Sequence, residues 1–168
     1  MGNYVFKGKK ISCLTDERAF PSGNKSVVEI VKCPNAVVIL PLIDEDTIVL
    51  LRQYRPVIEE WIYELPAGSL EESEEPSNCV LRELKEETGY TANNVKKMFD
   101  MYMAPGYSVE MIHSYLAKDL TSGDARPEKD EEMIIKIVSV SDAIDMIRKN
   151  VICDAKSIAS ILYYNYNK

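Results

Sequence analysis

The chain has 168 residues, 46% apolar and 28% charged. This is an ordinary globular mix that excludes disordered, collagenous and low-complexity classes and suits one domain with a small appendage. Its 20 basic residues face 27 acidic ones, a net charge of −7, which argues against nucleic acid as a partner, since a phosphate backbone attracts Lys and Arg. A small phosphorylated substrate remains compatible, because a divalent cation reverses the local sign. The longest apolar run, Ala36–Ile43, contains Pro41 and falls far short of the about 20 residues of a membrane span. Residues 1–10 carry no apolar leader, so no secretory signal and no membrane partner are expected, and the location read is cytoplasmic. Cys13, Cys33, Cys79 and Cys153 are scattered without a C-x-x-C pair, which points to reduced thiols rather than a zinc site or a disulfide framework.

In chain order, Tyr4–Ser12 and Val27–Val31 read as N-terminal strands, too exposed to be stable alone. Residues 1–34 are therefore expected to form a small antiparallel β appendage, and residues 35–168 the main domain. Val27–Cys33 alternates toward a strand, Pro34-Asn35 punctuates, and Ala36–Leu42 reads as a buried strand. Asp44-Glu45-Asp46 is a polar turn, and Thr47–Gln53 returns from it to complete a hairpin. Trp61–Leu65 is a short strand stopped by Pro66-Ala67-Gly68. A helix over Glu74–Thr88 follows, with Ser73 as N-cap and Pro76 in the first turn, where its missing N–H is harmless. Gly89 closes that helix. Met98–Met103 and Met111–Ala117 are strands flanking Pro105-Gly106, and Met133–Val140 is a further β-branched run. Helices are expected over Asp142–Lys149 after Ser141 and over Ala155–Tyr164 after Asp154. Strands with interspersed helices, lacking a βαβ rhythm, suggest an α+β sandwich.

The Glu74–Thr88 helix carries the chemistry. At about 100° per residue, Val80, Leu84, Thr88 and Leu81 form an apolar stripe, while Glu83, Glu86 and Glu87 share an adjoining sector. Glu83 and Glu87 are an i, i+4 like-charge pair, a repulsion that grows where solvation is partial. Hard divalent cations relieve it, since Mg²⁺ takes carboxylate oxygens, waters and substrate phosphates; a solvated acidic face is the alternative. Arg82 stands at i, i+4 to Glu86 and can pin that acid, and the Leu65–Gly68 turn can expose a backbone carbonyl beside the acids.

The stretch Gly68-x5-Glu74-x7-Arg82-Glu83-Leu84-x-Glu86-Glu87-x-Gly89-Tyr90 fills every constrained position of the Nudix box, so the chain resembles the Nudix hydrolases. The resemblance implies a Nudix-type α/β/α sandwich with a mixed sheet. It also implies a hydrolase that uses Mg²⁺, or Mn²⁺, on nucleoside diphosphates linked to another moiety. By that resemblance Glu83 and Glu87 are metal ligands, Glu86 is a ligand or water-activating group, the Ala67 carbonyl completes the shell, and Arg82 and Glu74 orient the acids. The flanks Leu51-Arg52-Gln53-Tyr54-Arg55 and Trp61-x-x-Glu64-Leu65-Pro66-Ala67-Gly68 resemble the ADP-ribose pyrophosphatase subfamily. So do Ala104-Pro105-Gly106, with Pro105 sixteen residues beyond Gly89, and the helix start Asp154-Ala155-Lys156-Ser157-Ile158.

The expected substrate is therefore a nucleoside diphosphate sugar, ADP-ribose first, split to AMP and ribose 5-phosphate. The alternatives are another nucleotide sugar such as GDP-mannose, or a domain that senses ADP-ribose without cutting it; the three intact box acids favour an enzyme. Arg55 would contact the diphosphate or ribose through its planar fork. Arg52 contacts substrate or faces solvent, and Glu64 accepts a ribose or amide hydrogen bond or serves a structural ion pair. Gly106 and Glu110 are candidate substrate contacts. Tyr4, Phe20 and Trp61 are candidates to stack the base, or packing residues. In the Pro127–Glu132 loop, Glu132 is the first choice to assist the attacking water, with Glu131 and Glu128 behind it. His113 reads as a satisfied strand residue, and Tyr163, Tyr164 and Tyr166 as packing. As in the subfamily, the N-terminal strands are expected to pair across a two-fold homodimer.

Overall fold

A computed structural model describes residues 2–127 and 131–168. Among the described residues, ten strands and three helices are laid out around two apolar layers. The N-terminal strands β1 (Asn3–Lys7), β2 (Ser12–Ala19) and β3 (Lys25–Lys32) form an antiparallel sheet in the order 1-2-3. The single strand expected over Tyr4–Ser12 is instead broken by a turn in which the Gly8 amide donates to the Ile11 carbonyl (2.8 Å). This sheet meets the rest of the chain through β3. The Val31 amide donates to Tyr107 O (2.7 Å) and the Val109 amide to Val31 O (3.3 Å). Leu14 is its buried anchor, while Tyr4, Val5, Phe6, Phe20 and Val27 remain exposed.

A mixed sheet runs in the order β7 (Ala67–Ser69), β4 (Ala36–Pro41), β9 (Met111–Thr121), β8 (Thr91–Tyr102), and only β4 and β9 are parallel. β4 is buried throughout, and its alternate residues serve two cores. Val37 and Ile39 pack with Cys79, Val80 and Leu84 of helix α1 (Pro76–Thr88). Val38 and Leu40 pack with Ala143 of α2 (Val140–Arg148), with Ile161 and Tyr164 of α3 (Ala155–Asn167), and with Ile48 and Leu50. Those last two belong to β5 (Thr47–Arg55), the centre of a third sheet ordered β10 (Met133–Ser139), β5, β6 (Glu60–Glu64). The result is the expected α+β sandwich, with helices on both sides of a mixed sheet.

Several local expectations are corrected. The hairpin of Ala36–Leu42 with Thr47–Gln53 does not form: after one bridge, Leu42 to Ile48, β4 and β5 part into different sheets. Helix α1 starts at Pro76, not Glu74, and Ser73 is no cap but sits at φ 65. The cause is Pro76 itself, which holds Glu75 in an extended conformation (ψ 135). Leu81 is 39% exposed, whereas Glu87 is buried, so the inward face of α1 is rotated toward the acids. Ser139 rather than Ser141 caps α2, accepting from the Asp142 amide (3.0 Å). Gly89 and Asp154 end and start their helices as expected. Gly89 has φ 75 and lies so close to Gly123 and Ala125 that a side chain would collide with their backbone.

Candidate active site

The Leu65–Ser69 segment crosses the inward face of α1 and sets the site's floor. At Gly68 a Cβ would overlap the Glu83 carboxyl, so only glycine lets that carboxylate lie against the strand. One residue earlier, the Ala67 amide donates to Glu87 Oε2 (2.9 Å). Arg82 organises the remaining acids. Its Nε and Nη2 grip both oxygens of Glu74 (3.0 and 2.9 Å), its Nη1 reaches Glu83 Oε1 (2.7 Å) and Glu86 Oε2 (3.3 Å), and its Nη2 also donates to the Ser69 carbonyl (3.2 Å). The i, i+4 contact to Glu86 expected from spacing is thus the longest of its carboxylate bonds.

The electrostatics sort these acids into two kinds. The Arg82 fork pulls the Glu74 carboxyl down to about 2. Burial pushes Glu83 above the ordinary carboxylate range against the pull of Arg82, with Glu86 and Glu131 adding like-charge repulsion. Glu87, 3% exposed, is pushed well above it, by burial first and then by Glu83 and Glu131. Arg55 is near enough to Glu87 to oppose this. Among the described residues no three carboxylate, imidazole or thiol groups converge as ready metal ligands. The chemistry of the set nevertheless fits a hard divalent cation. Three carboxylates are concentrated on one face, two are held above their ordinary range by burial and mutual charge, and a glycine keeps space for one of them. Glu83, Glu86 and Glu87 could hold such an ion, with the Ala67 carbonyl beside them.

A second cluster borders this one. Arg55 binds Glu64 in a two-pronged bridge, Nε to Oε1 at 2.5 Å and Nη2 to Oε2 at 2.7 Å. Glu64 is 1% exposed and also accepts from Lys156 Nζ (2.6 Å). The reading of Glu64 as a ribose or amide contact is therefore corrected: it faces inward with both oxygens taken, as the ion-pair alternative held. In the sequence Lys156 reads only as part of a helix start, and its partnership with Glu64, 92 residues away, carries no local signal.

The other expected residues are dispersed. Arg52 lies on the opposite face of β5 from Arg55, its guanidinium 5.3 Å from the Trp61 ring. Trp61 also packs on Tyr54, centroids 5.8 Å apart. Gly106 is in an open turn and Glu110 lies near Cys33 and Ser108, on the segment that carries β3. Tyr4 and Phe20 stand on the N-terminal sheet. Of the loop glutamates, Glu132 is exposed and its carbonyl accepts from the Tyr54 amide (2.9 Å), while the charge of Glu131 reaches Glu83 and Glu87. Glu128 lies outside the described residues. His113 is a satisfied strand residue, Nδ1 2.6 Å from Asp100 Oδ1.

The sequence profile of the NUDIX domain matches residues 33–160. The chain is 38% identical to the ADP-ribose pyrophosphatase of Bacillus subtilis (strain 168), covering 95% of this chain and 87% of that protein. It is 34% identical, at the same coverage, to the methanol dehydrogenase activator of Bacillus methanolicus. A GDP-mannose pyrophosphatase of Cronobacter sakazakii is 33% identical over 73% of this chain and 69% of its own. The crystal structure of an ADP compounds hydrolase superposes with a TM-score of 0.85 over 99% of this chain and 90% of that one, at 21% identity, and so shares the fold. With the box residues Arg82, Glu83, Glu86 and Glu87 gathered on α1 and the profile covering most of the chain, the protein belongs to the NUDIX family.

Proposed function

We propose that this protein hydrolyses the diphosphate bond of a nucleoside diphosphate sugar, ADP-ribose in the first instance, releasing AMP and ribose 5-phosphate. The observation that carries the reading is the Arg82-organised row of acids, with Glu87 buried and Glu83 packed against Gly68. Mg²⁺ held by Glu83, Glu86, Glu87 and the Ala67 carbonyl would neutralise diphosphate charge and lower the pKa of a bound water. The chain's own residues then divide the remaining work. Arg82 and Glu74 keep the acids in register, Arg55, its fork held by Glu64, offers its Nη1 edge to a phosphate, and Glu131 orients the attacking water and takes its proton. The water oxygen joins one phosphorus, the bridging P–O bond breaks, and two monophosphates leave.

GDP-mannose is the second substrate to test, because relatives bearing that activity in their names match about three quarters of the chain. A non-catalytic sensing role is less favoured, since Glu83, Glu86 and Glu87 are all present. The exposed apolar residues of β1–β3 support a homodimer built through that sheet, and the sequence supports a cytoplasmic location. Among the described residues, no helix is long and apolar enough to cross a membrane. Phosphate release, with a phosphatase coupled to the products, across ADP-ribose, GDP-mannose, diadenosine polyphosphates and 8-oxo-dGTP tests the substrate. A tenfold preference for GDP-mannose would overturn the ADP-ribose assignment. A single sedimenting species of monomer mass at micromolar concentration would overturn the dimer.

A further inference from the structure

We propose that Lys156 is a positioning residue for diphosphate binding: by neutralising buried Glu64 it leaves the Arg55 guanidinium's charge free for an anionic substrate. The proposal rests on the reading above that Arg55 faces the diphosphate.

Arg55 spends its Nε and one Nη2 hydrogen on Glu64, and no protein acceptor among the described residues takes Nη1. The unspent edge belongs to a side chain 40% exposed, while its partner carboxylate is 2% exposed. Without the Lys156 ammonium, Arg55 would be the lone cation against the two carboxylates of Glu64 and Asp154 and a weak attractor of phosphate. Lys156 changes that balance. Its Nζ lies 2.6 Å from Glu64 Oε2 and 2.9 Å from Asp154 Oδ2, and the side chain is 11% exposed, out of direct competition for substrate. Two cations and two anions then alternate from the start of α3 to the site. Removing the ammonium would leave the set with a net negative charge beside Glu87, where an anionic substrate must also be accommodated. At low effective dielectric such an imbalance is felt over several ångströms.

The same helix start also fixes the backbone. Asp154 caps α3 by accepting from the Ser157 amide (3.0 Å), and the Ser157 hydroxyl donates to Asp154 Oδ2 (2.5 Å) while accepting from the Leu65 amide (2.7 Å). Lys156 is therefore held at a fixed distance from the segment that carries Glu64.

The test compares Lys156→Met, Lys156→Gln, Lys156→Arg and the double variant Glu64→Gln/Lys156→Met. The readouts are KM and kcat on whichever substrate the wild type cleaves, and the Kd of ADP by calorimetry with Mg²⁺. The expected result is a rise of about tenfold in KM and in the ADP Kd for Lys156→Met and Lys156→Gln, equivalent to about 1.4 kcal/mol of binding, with kcat within threefold. Lys156→Arg should stay within threefold of wild type. The double variant, which removes one charge of each sign, should recover most of the affinity. If Lys156→Met fails to fold, Lys156→Gln, which keeps a hydrogen-bond donor, carries the comparison. An ADP Kd unchanged within twofold in Lys156→Gln, a double variant as weak as the singles, or no ADP binding by the wild type would each overturn the proposal. Cleavage of no substrate in the panel by a wild type that binds ADP would instead overturn the proposed function alone.

Discussion

Glu87→Gln should make the metal-free protein more stable while removing its activity. Glu87 is 3% exposed and accepts one hydrogen bond, from the Ala67 amide. Burial and the neighbouring charges of Glu83 and Glu131 act against its ionised form. Glutamine keeps the volume and a carbonyl oxygen for the Ala67 amide but carries no charge. Poorly compensated buried ions still cost several kcal/mol after relaxation, so a net gain of about 1–3 kcal/mol near neutral pH is expected. For a chain of this size each kcal/mol raises Tm by about 2–4 °C. The folded-state value of Glu87 lies above its unfolded value of 4.5. The wild-type penalty is therefore fully present above the folded value and vanishes below 4.5, where the group is protonated in both states. Thermal melts of chelator-treated wild type and variant, across pH, read this directly, and the two curves should converge in acid. Adding Mg²⁺ at a hundred times its Kd should then stabilise the wild type by about 2.7 kcal/mol and the variant far less. A metal-free variant with native circular dichroism that melts at or below the wild type would refute the argument that this carboxylate is held at a cost.

Three further outcomes follow from the same geometry. Glu74 has its folded value pulled to about 2 by Arg82, so its bond stabilises the protein above the unfolded value of 4.5 and is lost as pH falls toward about 2; in urea titrations, Glu74→Gln should flatten that part of the acid limb. Gly68→Ala should displace the flexible Glu83 side chain rather than the backbone, keeping the fold while cutting turnover and divalent-ion affinity about 10–100-fold, and unchanged calorimetric Mg²⁺ binding would count against the Gly68–Glu83 contact. Ser157→Ala strands the buried Leu65 amide and should cost about 1–3 kcal/mol in urea unfolding, whereas a loss under 0.5 kcal/mol, the order of an ordinary surface substitution, would show that another group takes the bond.

Much of α1 could be read directly from the chain. Its acids, Arg82 and the closing Gly89 are related by helical spacing, which is local and repeats every turn. Ser73 has a good capping side chain, yet Pro76, three residues later, holds Glu75 extended and sets the helix start. Leu81 looked inward by hydropathy, but the strand bearing Gly68 lies over the acids, so α1 is turned to bury Glu87 instead. β7 leaves no pattern in the sequence because Ala67–Ser69 is three residues with a glycine, nor does the first half of β8, Thr91–Lys97, because its exposed residues lack an apolar alternation. β4 and β5 both looked like strands and are strands; nothing in the turn between them says that they enter different sheets.

From residue order alone came the family, the sandwich class and the row of box carboxylates, because each depends on spacings within one helix or on runs within one strand. Which charges face those carboxylates was settled only in three dimensions. The charge of Glu131 reaches Glu83 and Glu87, and Lys156 meets Glu64 across 92 residues. Such encounters arise from how the two sheets and α3 stack, and the free energy of a buried charge depends on every neighbour that stacking supplies, near or far along the chain.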